Sequence, residues 1–204
     1  MAQVKLTKTE LRLQQVKLFQ LQTYLPTLQL KKALLQLEVN QTTSEIDLLK
    51  IEFTKEEEAL DRYSALFSER NSDRFFSAVA IKELKITHEN IAGVDIPIFE
   101  DVIFEKPSYS LFDTPVWYES AMDGVRRLLV AQEKIKVAEQ KKEALEKELR
   151  DVSIRVNLFE KIMIPRAVDN IKRIKIFLGD QQLAAVSQAK VAKKKLSAQA
   201  TYDY

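Results

Sequence analysis

The sequence contains no cysteine and few of the residues that interrupt helices, with three glycines and five prolines in 204 residues. The lack of cysteine excludes disulfides and thiol chemistry, and it fits a reducing cytosol. The glycines are isolated at Gly93, Gly124 and Gly179. A phosphate-binding loop needs clustered glycines followed by Lys and Ser or Thr, so nucleotide binding by that route is excluded.

Histidine is almost absent, and the charges nearly cancel. His88 is the single histidine, and with no cysteine beside it a zinc site is not expected. The acidic run Glu56–Glu58 reads as a solvated helix face, because consecutive helical residues do not face one another. No Ser-His-Asp arrangement is indicated. We therefore predict a non-catalytic protein with no catalytic residue, no cofactor and no metal site. The net charge of +2 does not by itself indicate a polyanionic partner.

Long apolar runs are also missing. No uncharged apolar stretch approaches the roughly 20 residues that cross a bilayer. The first residues, Met1–Lys5, lack the apolar core of a signal peptide. The sequence predicts a soluble protein with no direct membrane insertion, which could still serve a membrane complex.

Apolar residues in the first third of the chain repeat every 3.5 residues, which is typical of a helix that pairs with another helix. Thr7 followed by Glu10 has the spacing of a capping box, so the helix is predicted to begin there. Pro26 should bend it near residues 23–29. We read its polar seam positions, Lys32, Thr42 and Glu56, as setting the register or loosening it locally, with a partner site as the alternative. The two predicted seams of this helix are Leu11, Leu18, Leu25, Lys32, Val39, Ile46, Phe53, Leu60 and Phe67, and Gln14, Leu21, Leu28, Leu35, Thr42, Leu49, Glu56 and Tyr63.

The last part of the chain carries a second heptad pattern. A second long helix is predicted to begin at Thr114-Pro115, to bend at Pro165 and to break near Gly179. The register slips by one residue after Phe159, which should loosen the supercoil locally. Its predicted seams are Leu128, Ile135, Lys142, Leu149, Val156 and Met163, then Ala131, Ala138, Leu145, Val152 and Phe159, and beyond the slip Ala167, Ile171, Ile174 and Leu178.

Between the helices the pattern changes to alternation, which predicts a β-hairpin within residues 82–105. The first helix should end at Asn71–Asp73, with a short helical turn over Arg74–Ile81 and a loop over 106–114. A hairpin of two strands is marginal in water, so it must lean on the helices or on another chain. The predicted fold is mainly α: a long antiparallel two-helix coiled coil, formed by residues 1–70 and 115–204, with a hairpin-containing insertion at 71–114.

The run Arg155–Arg166 resembles the signature of the D subunit, the central-stalk rotor shaft, of V-type and A-type rotary ATPases. Thr7–Leu11 is similar to the opening helix cap of that family, and Asn90–Pro97 to its mid-chain strand. The resemblance implies a shaft that couples ATP hydrolysis or synthesis to proton or sodium transport without binding ATP or the ion. It implies four partners: the catalytic A and B subunits, the F subunit of the stalk and a ring-capping subunit of the membrane sector. It also implies a peripheral location on the cytoplasmic side of the membrane.

The resemblance further implies a set of partner-binding residues, to which the lysines near the end of the chain are added. These residues are Thr7, Glu10, Arg155, Asn157, Glu160, Lys161, Pro165, Arg166, Lys190, Lys193, Lys194 and Lys195. The four lysines could instead complement the dipole at a solvated helix end. A second interpretation is that these lysines contact an acidic surface of a partner protein. Binding to nucleic acid is the least favoured interpretation, because no aromatic residues are interleaved with the lysines. Two rival functions stay open: a generic coiled-coil tether or adapter, and a nucleic-acid-binding arm of an enzyme.

Overall fold

The computed structural model describes residues 4–62, 75, 79–105 and 115–202, with side chains described as far as residue 195. The fold is mainly helical with a small antiparallel hairpin in the middle, which confirms the predicted class. The contacts divide the chain into two units, Met1–Leu30 with Val152–Tyr204, and Lys31–Asp151. The elements are α1 Lys8–Asp61, β1 Ile81–Ile91, β2 Val94–Phe104, α2 Tyr118–Leu158, a π-helical turn Phe159–Met163 and α3 Ile164–Tyr202.

Helix α1 begins as its capping residues predict. The Glu10 N–H donates to the Thr7 hydroxyl oxygen at 3.2 Å, and the Leu11 N–H donates to the Thr7 carbonyl at 3.0 Å. The reciprocal bond of a capping box, from the Thr7 N–H to the Glu10 carboxylate, is absent, and that carboxylate accepts from the Gln14 side-chain amide at 2.8 Å. Thr7 thus satisfies a backbone donor that the helix itself leaves without an acceptor.

The heptad register of α1 is confirmed from Leu11 to Leu60, since each predicted seam residue in that span is buried or half-buried. The helix continues through the exposed Pro26. The bend expected there stays a prediction. Tyr63, Phe67 and the proposed helix end at Asn71–Asp73 lie outside the described residues, as does the loop at 106–114.

Two boundaries predicted for the C-terminal part are wrong. Helix α2 begins at Tyr118, because Pro115–Trp117 form a turn in which the Tyr118 N–H donates to the Pro115 carbonyl at 3.0 Å. Helix α3 also runs through Gly179 without a break. A glycine costs a helix only about 1 kcal/mol relative to alanine, which helix-forming neighbours on both sides offset.

In the unit Lys31–Asp151, ion pairs between α1 and α2 show that the helices are antiparallel. Across the four pairs, residue numbers rise along α1 while they fall along α2. The pairs are Lys31–Glu148 at 2.6 Å, Glu45–Lys141 at 3.2 Å, Lys50–Glu139 at 3.2 Å and Glu56–Arg127 at 3.2 Å. These pairs are mostly exposed and contribute about 0–1 kcal/mol each, so the apolar seam supplies most of the pairing energy.

The hairpin prediction is confirmed, with its turn at Ala92-Gly93. Both turn residues have positive φ, 52° and 81°, as a two-residue hairpin turn of type I′ requires. The Asn90 side-chain oxygen accepts from the Gly93 N–H at 3.0 Å and so holds the turn. Ile81 belongs to β1, so the predicted helical turn did not extend that far. β-Strand pairing is favoured there because β-branched side chains suit a pleated surface.

The hairpin leans on the helices, as a two-stranded sheet must. Val137 of α2 is only 3% exposed although it lies outside both seams, and it shares a groove with Pro97–Phe99 of β2. The Lys134 ammonium lies 5.7 Å from the Phe99 ring centre, and the Arg126 guanidinium lies 5.1 Å from that of Phe104. Burial and these cation–π contacts therefore attach β2 to α2.

Candidate partner-binding surface

All twelve predicted contact residues lie in the unit formed by Met1–Leu30 and Val152–Tyr204. Each is exposed except Glu10, which is half-buried. The hydroxyl oxygen of Thr7 is already engaged as the helix cap. A set of exposed polar residues on paired helices can bind another surface, but it does not form an enclosed site.

Three of the twelve residues meet where the start of α1 packs beside the π turn. Lys161 and Arg166 line a groove with Val4, Leu6 and Ile162. A neighbouring groove contains Glu10 and Arg166. We call these adjoining grooves, which share Val4, Ile162, Arg166 and Asn170, the terminal groove. Its charges are mixed, because Asp169 and Asp180 lie near Arg166 and Arg173.

The other predicted residues are not brought into that groove. Arg155 and Asn157 lie on exposed positions of α2, and Pro165 is exposed at the start of α3. The lysines at 190, 193, 194 and 195 lie near the end of α3, where each described side chain from residue 180 onward is exposed. This part of α3 also exposes Leu183, Val186 and Val191.

Sequence reasoning missed an exposed apolar stripe on α1. Leu34, Leu37, Leu48 and Ile51 are 49%, 51%, 65% and 54% exposed. Leu34 and Leu48 share one heptad position outside the seam, and Leu37 and Ile51 share another, with the polar Gln41 and Ser44 between the two pairs. This shared placement is the signal that could have revealed them. Single exposed apolar residues are ordinary, but a helical stripe of them is typical of an interaction surface. We call these four residues the outer stripe.

Metal sites and membrane spans are both missing from the part of the chain that the structure describes. Within it, no group of three or more acidic, histidine or cysteine side chains could hold a metal ion. Over the same residues, no helix is long and apolar enough to cross a membrane.

The geometry defines a class: an antiparallel helical hairpin with an inserted β-hairpin, in which exposed helical faces are available for contacts with other proteins. The family model for the D subunit of ATP synthase matches residues 10–194, and the chain belongs to that family.

Several relatives, each named as the D subunit of a V-type ATP synthase, are similar over nearly their full length. The protein of Chlamydia abortus is 41% identical over 196 residues, covering 96% of this chain and 94% of the relative. That of Chlamydia trachomatis serovar L2 is 43% identical over 199 residues, covering 96% and 97%. That of Borreliella burgdorferi is 39% identical over 196 residues, covering 96% of each.

Proposed function

We propose that the chain is the central-stalk rotor shaft of a V/A-type ATPase. In this role it couples ATP hydrolysis or synthesis in a catalytic hexamer of A and B subunits to proton or sodium transport through a membrane ring. The chain itself is non-catalytic, and it lies on the cytoplasmic side of the membrane as a peripheral subunit. The observation that carries the proposal is an antiparallel helix pair in a member of this family, in which each α3 side chain from residue 180 to 195 is exposed.

The helix pairing suits the transmission of torque. A seam buried along the pair resists separation of the helices, because each buried leucine or valine contributes roughly 1.5–3 kcal/mol. Leu35, Leu145 and Val152 are at most 1% exposed. The cross-helix ion pairs add orientation more than energy.

The exposed end of α3 suits a surrounding partner surface. Within residues 180–195 the apolar and basic side chains alternate around the helix and none is buried. Contacts that permit rotation must be individually weak, as exposed ion pairs are. We assign this segment to the interior of the A and B hexamer, with Lys190, Lys193, Lys194 and Lys195 facing acidic groups of those subunits.

The outer stripe supports a partner on the side of the shaft, a role that the resemblance gives to the F subunit. Apolar residues at three-residue spacing on a helix suit a second helix or a sheet face. The ring-capping subunit would contact the middle of the chain, where the hairpin lies.

Co-purification with A and B subunits, followed by negative-stain imaging, tests the proposal. The rotor reading predicts a single copy on the axis of the hexamer. A tether predicts a stable homodimer with no affinity for A and B subunits. A nucleic-acid arm predicts a salt-sensitive gel shift that disappears when the lysines at 190–195 are replaced. Either of these last two results, without hexamer binding, contradicts the rotor shaft.

A further inference from the structure

The segment Phe159–Met163 forms a π-helical turn between two α-helices. The Ile164 N–H donates to the Phe159 carbonyl, five residues back, instead of to that of Glu160. Leu158 and Ile164 on either side keep α-helical dihedral angles. A π turn contains one residue more than an α turn, so this segment holds one extra residue within an otherwise α-helical run.

The apolar seam explains where the extra residue lies. Phe159 and Ala167 occupy equivalent seam positions but are eight residues apart, whereas a heptad would place them seven apart. In a continuous α-helix, one added residue rotates everything after it by about 100° around the axis. The stripe would then turn away from α1. The π turn absorbs the residue, and Ala167, Ile171 and Ile174 stay buried.

The same turn is weakly held. Pro165 has no N–H, so the Lys161 carbonyl loses its α-helical donor. The Glu160 carbonyl loses its own donor, because the Ile164 N–H is used by Phe159. No residue of the turn is buried. Met163 and Ile164 are both half-buried. Two consecutive residues therefore occupy the seam position that a single residue fills in a regular heptad.

We propose that the π turn is a register-adapting joint: it takes up a one-residue skip in the heptad repeat and is the first place where this helix opens or twists. The seams on either side remain paired while it does so. This inference rests on the geometry of the helix and goes beyond the proposed rotor function, in which it would give the shaft a compliant layer.

Two single-residue deletions with matched side chains test the skip. Deleting Ile162, which is 56% exposed, makes the heptad continuous, because Ile164 then falls four positions after Phe159 and three before Ala167. Deleting Ile154, which is 59% exposed, removes the same side chain from a regular part of α2. This deletion shifts all later seam residues by one heptad position relative to those before it. We expect the melting temperature of the full chain to hold or rise without Ile162. It should fall by roughly 5 °C or more without Ile154.

Hydrogen–deuterium exchange of the same full-length proteins tests the joint. In the wild type, the amides of residues 160–164 and of Arg166 should exchange at least roughly tenfold faster than those of 152–158 and 167–174. Deleting Ile162 should abolish that difference. Pro165→Ala should reduce the difference only in part, because it restores one backbone N–H while the one-residue skip is still present.

Three results would overturn the inference. One is an equal loss of melting temperature in both deletions, which would mean that the residue is not a skip. A second is exchange in the wild-type turn as slow as in its flanks. The third is loss of fast exchange in Pro165→Ala alone, which would assign the opening to proline. None of these measurements depends on the rotary complex, so they are independent of the proposed function.

Discussion

The side chain of Leu60 fills the space that a β-carbon on Gly124 would need. A β-carbon built on Gly124 would lie 2.7 Å from Leu60 Cδ2 and 3.4 Å from its Cγ, closer than packed carbon atoms approach. Leu60 is buried, so its side chain has little room to move away. Helix propensity alone would make Gly124 a weak point in α2. In the structure it permits α1 and α2 to approach closely.

The two helical glycines should therefore respond in opposite ways to alanine. Gly179 has no atom within 4 Å of an added β-carbon, so Gly179→Ala should raise the free energy of unfolding by about 1 kcal/mol through helix propensity. Gly124→Ala gains the same propensity but overpacks Leu60, at a cost of about 1–3 kcal/mol. In urea denaturation, Gly124→Ala should leave the free energy of unfolding unchanged or lower it. Equal stabilisation of the two variants would contradict the close contact.

Thr42 is a seam residue whose hydroxyl has no hydrogen-bond partner among the described residues, although it is 1% exposed. A buried hydroxyl without a partner costs about 1–3 kcal/mol, so Thr42→Val should stabilise the chain by about 1–2 kcal/mol. The adjacent Thr43 is the control, because its hydroxyl donates to the Val39 carbonyl at 2.8 Å. Thr43→Val should not stabilise. A stabilising effect at both positions would indicate a general gain from valine.

Leu145 and Leu48 distinguish the seam from the outer stripe. Leu145 is 0% exposed, so Leu145→Ala should lower the free energy of unfolding by about 2–5 kcal/mol. Leu48 is 65% exposed, and Leu48→Ala should change it by less than about 0.5 kcal/mol. In a pull-down with the F subunit, the Leu48 variant should bind more weakly than the wild type. Unchanged binding would exclude Leu48 from the side contact.

Truncation after Asp180 removes the exposed end of α3. Because none of the described side chains at 181–195 is buried, the melting temperature of the remaining protein should be nearly unchanged. ATP-driven ion pumping by the reconstituted complex should fall, since the proposed contacts with A and B subunits are lost. A truncated protein that unfolds, or a complex that pumps with full efficiency, would show that this segment has another role.

The isolated protein should hydrolyse no ATP, because its glycines do not form a phosphate-binding loop. A phosphate-release assay on pure protein measures this. ATP hydrolysis that persists after further purification would contradict the proposed role as a non-catalytic rotor shaft.

Periodicity alone determined which residues face the partner helix, since a helix with a 3.5-residue apolar repeat has one favourable face. It also marked the skip after Phe159, the hairpin and the cap at Thr7, which are local features encoded by local residues. The contact between Leu60 and Gly124, the covering of Val137 by the hairpin and the clustering of Glu10, Lys161 and Arg166 were decided only by the tertiary structure. Each of these joins residues far apart in the chain, and the spacing of residues in sequence does not specify how separate elements pack together.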